Sequence, residues 1–339
     1  RRLKRPQDAF WERVPLPKDD QFELLTCEKF DYNGDPVYYY DTTDVNPGGG
    51  FYLIDYTLNP RDPADGGNHN HKTFSVLVYG DTIWVGTANG INRGIIDPTR
   101  SNCINWEHYS YPTHGLSGNF VVGLALQMYK GKRVIWAATV NADDPTEQRG
   151  VSYTTNGGLS WDVQRIGFPT SSFPQCSGLH GHVAGGLDGA VYRGNPSCEG
   201  PAVYRSLEGG YTWSEHTITT EVGMQQGWHA HEVATAVDDG GNLHATWISN
   251  DQMPWYAYSR DQGDTWSDPM MVAAPGVTET GFPTIFAGAE GRVVIGYIGE
   301  VNDVSSNNST VGGVGWGGYM AIMTDAFAEN PLIDRKSVV

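Results

Sequence analysis

Thr154-Thr155-Asn156-Gly157-Gly158-Leu159-Ser160-Trp161 returns as Ser206-Leu207-Glu208-Gly209-Gly210-Tyr211-Thr212-Trp213, and again as Ser259-Arg260-Asp261-Gln262-Gly263-Asp264-Thr265-Trp266. The copies are spaced by about fifty residues, the period of a repeat architecture. Each position has a mechanical reading. The carboxylate or amide at the third position bonds turn amides, glycine supplies a positive φ, and the closing tryptophan packs back as a plug. The pattern is a hairpin staple.

Around these staples the same order recurs: an inner strand, a tight turn, a second strand, a variable loop, a third strand and the staple. The second-strand signals are Thr82–Thr87, Arg133–Ala138, Gly189–Arg193, Asn242–Trp247 and Arg292–Tyr297, each following a turn rich in Gly, Asp or Lys. They place five repeats. A sixth is expected from the first sixty-odd residues, built on Val37–Tyr40 and Phe51–Tyr56 and joined by a C-terminal strand near Tyr319–Thr324.

Composition agrees with one all-β domain. The 339 residues are 39% hydrophobic and 12% aromatic, enough for a large core, and the 43 Gly and 19 Pro are spread along the chain instead of gathered in a linker. A net charge of −17 argues against nucleic acid or an anionic membrane as partner. No run of eighteen apolar residues is present, so no transmembrane helix is expected. The chain opens at Arg1 instead of Met, which predicts processing or an incomplete chain behind an upstream signal peptide.

The staples resemble the Asp-box, or BNR, repeat, Ser/Thr-x-Asp-x-Gly-x-Thr-Trp, with Asn156 and Glu208 in place of the consensus Asp. From Cys176 onward, Cys-Ser-Gly-Leu-His-Gly-His before an Asp-box blade is similar to uncharacterised bacterial sialidase-annotated secreted proteins. The resemblance implies an all-β, six-bladed β-propeller of four-stranded antiparallel blades, with seven blades as the alternative. Residues 1–66 would form an N-terminal arm and first blade, and residues 67–339 the remaining blades. It also implies an extracellular or cell-surface protein that acts on or binds carbohydrate.

Four cysteines, Cys27, Cys103, Cys176 and Cys198, include no CxxC or CxxCH arrangement, so zinc-ribbon and c-haem readings fail. Disulfides lead. Three pairings are open, as are four buried thiols; the preferred scheme joins Cys176 to Cys198 and Cys27 to Cys103.

If the staples mark one face of the blades, the functional face is the one with the inner-strand starts. Three His-x-His pairs are expected there: His69 with His71, His180 with His182, and His229 with His231, the last followed by Glu232. A strand period of two puts both imidazoles of each pair on one side. Converging imidazoles suit a divalent transition metal such as Zn, Cu or Mn, with Glu232 as carboxylate ligand or orienter. They equally suit general-base chemistry or hydrogen bonding to a sugar, and the bland alternative is bonding to neighbouring backbone.

Asp251 and Glu300 are the preferred catalytic carboxylates because each follows a strand end, with Glu232 as a further catalytic candidate, and Arg193 is the candidate for gripping an anionic substrate. The Arg-Ile-Pro element of true sialidases is absent, and Arg93, Arg149 and Arg193 sit in no motif of that family. Ser-His-Asp chemistry has no support, since no Gly-x-Ser-x-Gly elbow is present. Two functions therefore compete: a glycoside hydrolase or polysaccharide lyase with a His-rich funnel, and a non-catalytic glycan-, protein- or metal-binding propeller serving as scaffold or adhesin.

Overall fold

The structure, a computed structural model, describes residues 14, 16–19, 21–30, 36–41, 69–97, 99, 103–140, 146–147, 150–164, 182–197, 200–223, 233–302 and 315–337. Among the described residues, twenty-two strands form five antiparallel sheets. Blade 1 contains β3 (Thr73–Tyr79), β4 (Thr82–Thr87), β5 (Gly90–Ile96) and β6 (Ile104–Tyr109), and is lengthened by β1 (Glu23–Phe30) and β2 (Pro36–Asp41) in the order β2-β1-β6-β5-β4-β3. Blade 2 is β7 (Phe120–Tyr129), β8 (Lys132–Val140), β9 (Gly150–Thr154) and β10 (Asp162–Gln164). Blade 3 is β11 (Val183–Gly185), β12 (Val191–Ser197), β13 (Gly200–Ser206) and β14 (Ser214–Thr217). Blade 4 is β15 (Val233–Val237), β16 (Leu243–Ile248), β17 (Pro254–Ser259) and β18 (Met270–Met271). Blade 5 is β19 (Glu279–Ala287), β20 (Val293–Glu300), β21 (Gly317–Met323) and β22 (Ile333–Ser337).

The fold is an all-β propeller of four-stranded antiparallel blades, but among the described residues it has five blades, not six or seven. The second-strand signals became β4, β8, β12, β16 and β20. The expected sixth blade fails for a physical reason: β1 finds its partner in the exposed edge of β6, with Leu24 opposite Trp106 and Thr26 opposite Ile104. That pairing buries Leu24, Ile104 and Trp106 together with Leu16 and Val85, and Trp106 Nε1–H donates to Thr26 Oγ1 at 3.1 Å. Each such side chain gains roughly 1.5–3 kcal/mol by leaving water. The segment near Tyr319–Thr324 supplies β21, the third strand of blade 5, and does not join blade 1. Residues 51–56 lie outside the described residues.

Contacts group the chain into two compact units. One comprises Arg1–Leu124, Thr139–Arg149 and Asn156–Asp162; the other comprises Ala125–Ala138, Gly150–Thr155 and Val163–Val339. In the second unit β16 is buried along its whole length. Leu243, Ala245 and Trp247 pack with Tyr192 and Val203 of blade 3. On its other face His244 stacks on Phe327, with ring centroids 5.8 Å apart.

The three staples close as their chemistry requires. In blade 4, Ser259 Oγ accepts Gly263 N–H at 2.7 Å, and Asp261 Oδ1 accepts Thr265 N–H at 2.8 Å. In blade 3, Glu208 reaches the Thr212 hydroxyl at 2.9 Å. Trp161 meets Trp84 edge to face in the first unit, and Trp213 meets Trp136 in the same way in the second. Gly210 has φ +90°, and a Cβ there would collide with the Trp136 ring, so both backbone and packing demand glycine.

Cys103 is disulfide-bonded. The β1–β6 register, continued by one residue from Thr26 opposite Ile104, brings position 27 opposite position 103, so the Cys27–Cys103 pairing stays as a proposal that peptide mapping without reductant would test. Cys176 and Cys198 lie outside the described residues.

Candidate functional site

The first His-x-His pair does not lie on a strand. His69–His71 forms a 3-10 turn, so the period of two that would align its imidazoles does not apply. The turn is fixed from the N-terminal segment: Asp19 accepts the N–H groups of His69 and Asn70 at 2.9 and 2.7 Å, and His71 Nε2 bonds the Leu16 carbonyl at 3.0 Å. With Nε2 donating to that carbonyl, the lone pair of the neutral ring sits on Nδ1. Asn70, fully buried, bonds Thr87 and Asn92, and Asn92 in turn meets His108 Nδ1 at 3.1 Å. Burial pushes His108 down to about 4, so that ring is neutral at ordinary pH.

Of the other histidines, His180, His229 and His231 lie outside the described residues, as does Glu232. His182 immediately precedes β11, and its carbonyl accepts Gly194 N–H at 3.1 Å and the Thr235 hydroxyl at 3.2 Å. Burial lowers its imidazole to about 4, which leaves it neutral. Among the described residues no group of three or more His, Cys, Asp or Glu is placed to hold a metal ion.

Arg193 sits in β12, opposite Val183 on one side and Tyr204 on the other, and is fully buried. Its positive charge opposes the rise that burial gives the Tyr204 phenol. Arg93, in blade 1, is occupied by Glu107 and the Gly157 carbonyl and lies over the rings of Trp84 and Tyr109.

The two preferred carboxylates both lie at strand ends, with different surroundings. Asp251, in the turn after β16, is exposed; its two oxygens accept Trp255 Nε1–H at 3.1 and 3.0 Å, and Oδ1 also accepts Met253 N–H at 3.0 Å. Glu300 ends β20 and is 1% exposed; it accepts the Thr278 hydroxyl at 2.8 Å and Asn302 N–H at 2.5 Å.

A carboxylate that motif reasoning passed over stands directly across the ladder. Glu279 opens β19, is 3% exposed, and is the register partner of Glu300. Directly opposed residues in an antiparallel pair carry their Cβ atoms roughly 4.5–5.5 Å apart on the same face, and like charges there repel. The only sequence signal for Glu279 was its place at an inner-strand start; its partner became visible with the register.

Backbone conformation near this pair is unusual. Gln252 and Phe282 have φ of 67° and 51°, and the register shifts between Gly281 and Thr284. Thr280 Oγ1 donates to the Gln252 carbonyl at 2.6 Å, tying the blade 4 turn to β19. Non-glycine residues in the left-handed region collect where surrounding structure over-determines them, as in functional sites.

No family model and no curated protein matches the chain. Among solved structures, a protein of unknown function from Dyadobacter fermentans is 11% identical, covering 96% of each chain at a TM-score of 0.41. An α-L-arabinanase from Penicillium chrysogenum, complexed with arabinobiose, is 11% identical over 65% of this chain and 67% of its own, at a TM-score of 0.43. A variant Aleuria aurantia lectin in complex with α-methyl-L-fucoside is 9% identical over 92% and 89%, at a TM-score of 0.45. These likenesses bear on no residue of the site.

Proposed function

We propose that the chain is a carbohydrate-acting propeller of the glycoside hydrolase type, with Glu279 and Glu300 as its acid–base pair. The observation that carries this reading is the cross-strand placement of two buried carboxyl groups at one blade end. Glycosidic cleavage needs two carboxyl groups flanking one bond, one to give a proton and one to act as base or nucleophile, at a separation of roughly 5–9.5 Å. The catalytic part of Asp251 stays within the proposal, and it has a second part beside it. It orients the Trp255 indole, a surface on which a sugar ring can stack.

The depth of the pair favours a second reading, a glycan-binding propeller without turnover. Incubation with sialosides, arabino-oligosaccharides and uronic-acid polysaccharides separates the two. Hydrolysis releases reducing ends, elimination releases unsaturated products, and binding alone quenches Trp255 fluorescence with neither product. Glu279→Gln and Glu300→Gln are each expected to lower turnover about 100-fold or more. Full activity in both variants would remove the pair from the chemistry. A metal held by His180, His182, His229 and His231 remains part of the proposal, and elemental analysis of untagged protein tests it.

A further inference from the structure

The missing Gly-x-Ser-x-Gly elbow spoke against serine chemistry, yet the fold assembles its parts from two hairpins. β14 is the outer strand of blade 3, and its period of two sends Ser214 and His216 to one face. There they meet the tip of the blade 4 hairpin. Ser214 Oγ lies 2.8 Å from His216 Nε2, and His216 Nδ1 lies 3.7 Å from Asp264 Oδ1. Ser214 is exposed and its hydroxyl has one further acceptor, the Arg205 carbonyl at 3.5 Å. We propose that Ser214, His216 and Asp264 form a serine-hydrolase centre for carboxylic esters.

The order of atoms is the working one, with the hydroxyl bonded to Nε2 and Nδ1 facing the carboxylate at 3.7 Å, a separation that has to shorten when substrate binds. Burial, with Arg205 beside it, holds the imidazole below the ordinary histidine range, so it is a neutral base at pH 7. Arg205 bonds Asp264 at 2.8 Å and the Gln262 carbonyl at 3.1 Å, which fixes the blade 4 tip against the strand. The ladder supplies a donor as well. Ile218 N–H bonds back to Pro201, so alternation turns the Glu215 and Thr217 N–H groups outward from this edge strand. The Glu215 N–H, next along the chain from the nucleophile, is placed to receive an oxyanion.

In the reaction, Ser214 Oγ bonds the ester carbonyl carbon while its proton passes to Nε2 and the carbonyl electron pair moves to oxygen. Collapse breaks the bond to the alcohol, which leaves with the proton from Nε2. Water, deprotonated by the same nitrogen, then releases the acid and restores the serine.

The centre is separate from the Glu279–Glu300 pair, and its test does not depend on carbohydrate. The intact chain is treated with a fluorophosphonate, which phosphonylates an activated serine with loss of fluoride, and the adduct is located by peptide mass spectrometry. Turnover of p-nitrophenyl acetate is measured in parallel. The expected result is an adduct on Ser214 that is lost in His216→Asn, with kcat/KM lowered about 100-fold or more in Ser214→Ala and about tenfold in Asp264→Asn. An unlabelled Ser214 in the native chain, or unchanged turnover in Ser214→Ala, would overturn the proposal and leave the serine as a hydrogen-bond partner of His216.

Discussion

At the hairpin ends of blades 2, 3 and 4, repeated letters have become repeated geometry; at the strand-start ends, the described histidines His69, His71 and His182 take different backbone settings. Gly157 and Gly158, Gly209 and Gly210, and Gln262 and Gly263 all adopt positive φ in the same two positions. By contrast, His69 and His71 occupy a 3-10 turn, whereas His182 leads directly into a strand. The staple letters act on the backbone, through φ and through N–H groups that must be bonded, so the same letters impose the same turn. A histidine imposes nothing on its own backbone and takes whatever partners its neighbours provide.

The contrast breaks most visibly at the plug. Trp213→Ala removes the edge-to-face contact with Trp136 and the bond from its indole to the Gly210 carbonyl, which is 3.0 Å long. A loss of about 3 kcal/mol is expected, read by urea unfolding. At the other end, His71→Gln should cost only about 1 kcal/mol, the worth of its bond to Leu16, and leave the metal content of the purified chain unchanged. A fall in bound metal in that variant would restore His71 as a ligand.

The smallest expected effect sharpens the comparison within the staples. Asp261 is held down to about 2: what burial raises is outweighed by hydrogen bonds from Thr265 and Ser259. A depressed carboxylate stabilises the fold above the unfolded value of about 3.9, and that contribution is lost as pH falls towards 2. Melting temperatures of the native chain and Asp261→Asn should therefore differ at pH 5 and converge near pH 2. Equal melting temperatures throughout would mean that the Asp261 charge has no part in closing the turn.

The blade grammar was legible because it rests on local rules, from the turn before Thr82 to the turn before Arg292. The blade number was not, because nothing local in Glu23–Phe30 states that it pairs with Ile104–Tyr109. The same limit divides the candidate site. Asp251 and Glu300 could be named from strand ends, whereas Glu279 gained meaning only from the β19–β20 register. The meeting of Ser214 and His216 with Asp264 depends on how one hairpin seats against the next strand. Arg193 shows the converse: a charged residue near a strand end reads as a rim group, and the fold has buried it completely.

The two strands that lengthen blade 1 have a practical consequence for anyone dividing this gene. A shortened version beginning near Thr73 would look complete by repeat counting, with five blades intact. It would also uncover the β6 edge together with Ile104 and Trp106, an open row of ladder groups beside an apolar strip, the combination that recruits other chains edge to edge. Such a product is expected to precipitate on expression, and supplying residues 14–41 should return it to the soluble fraction.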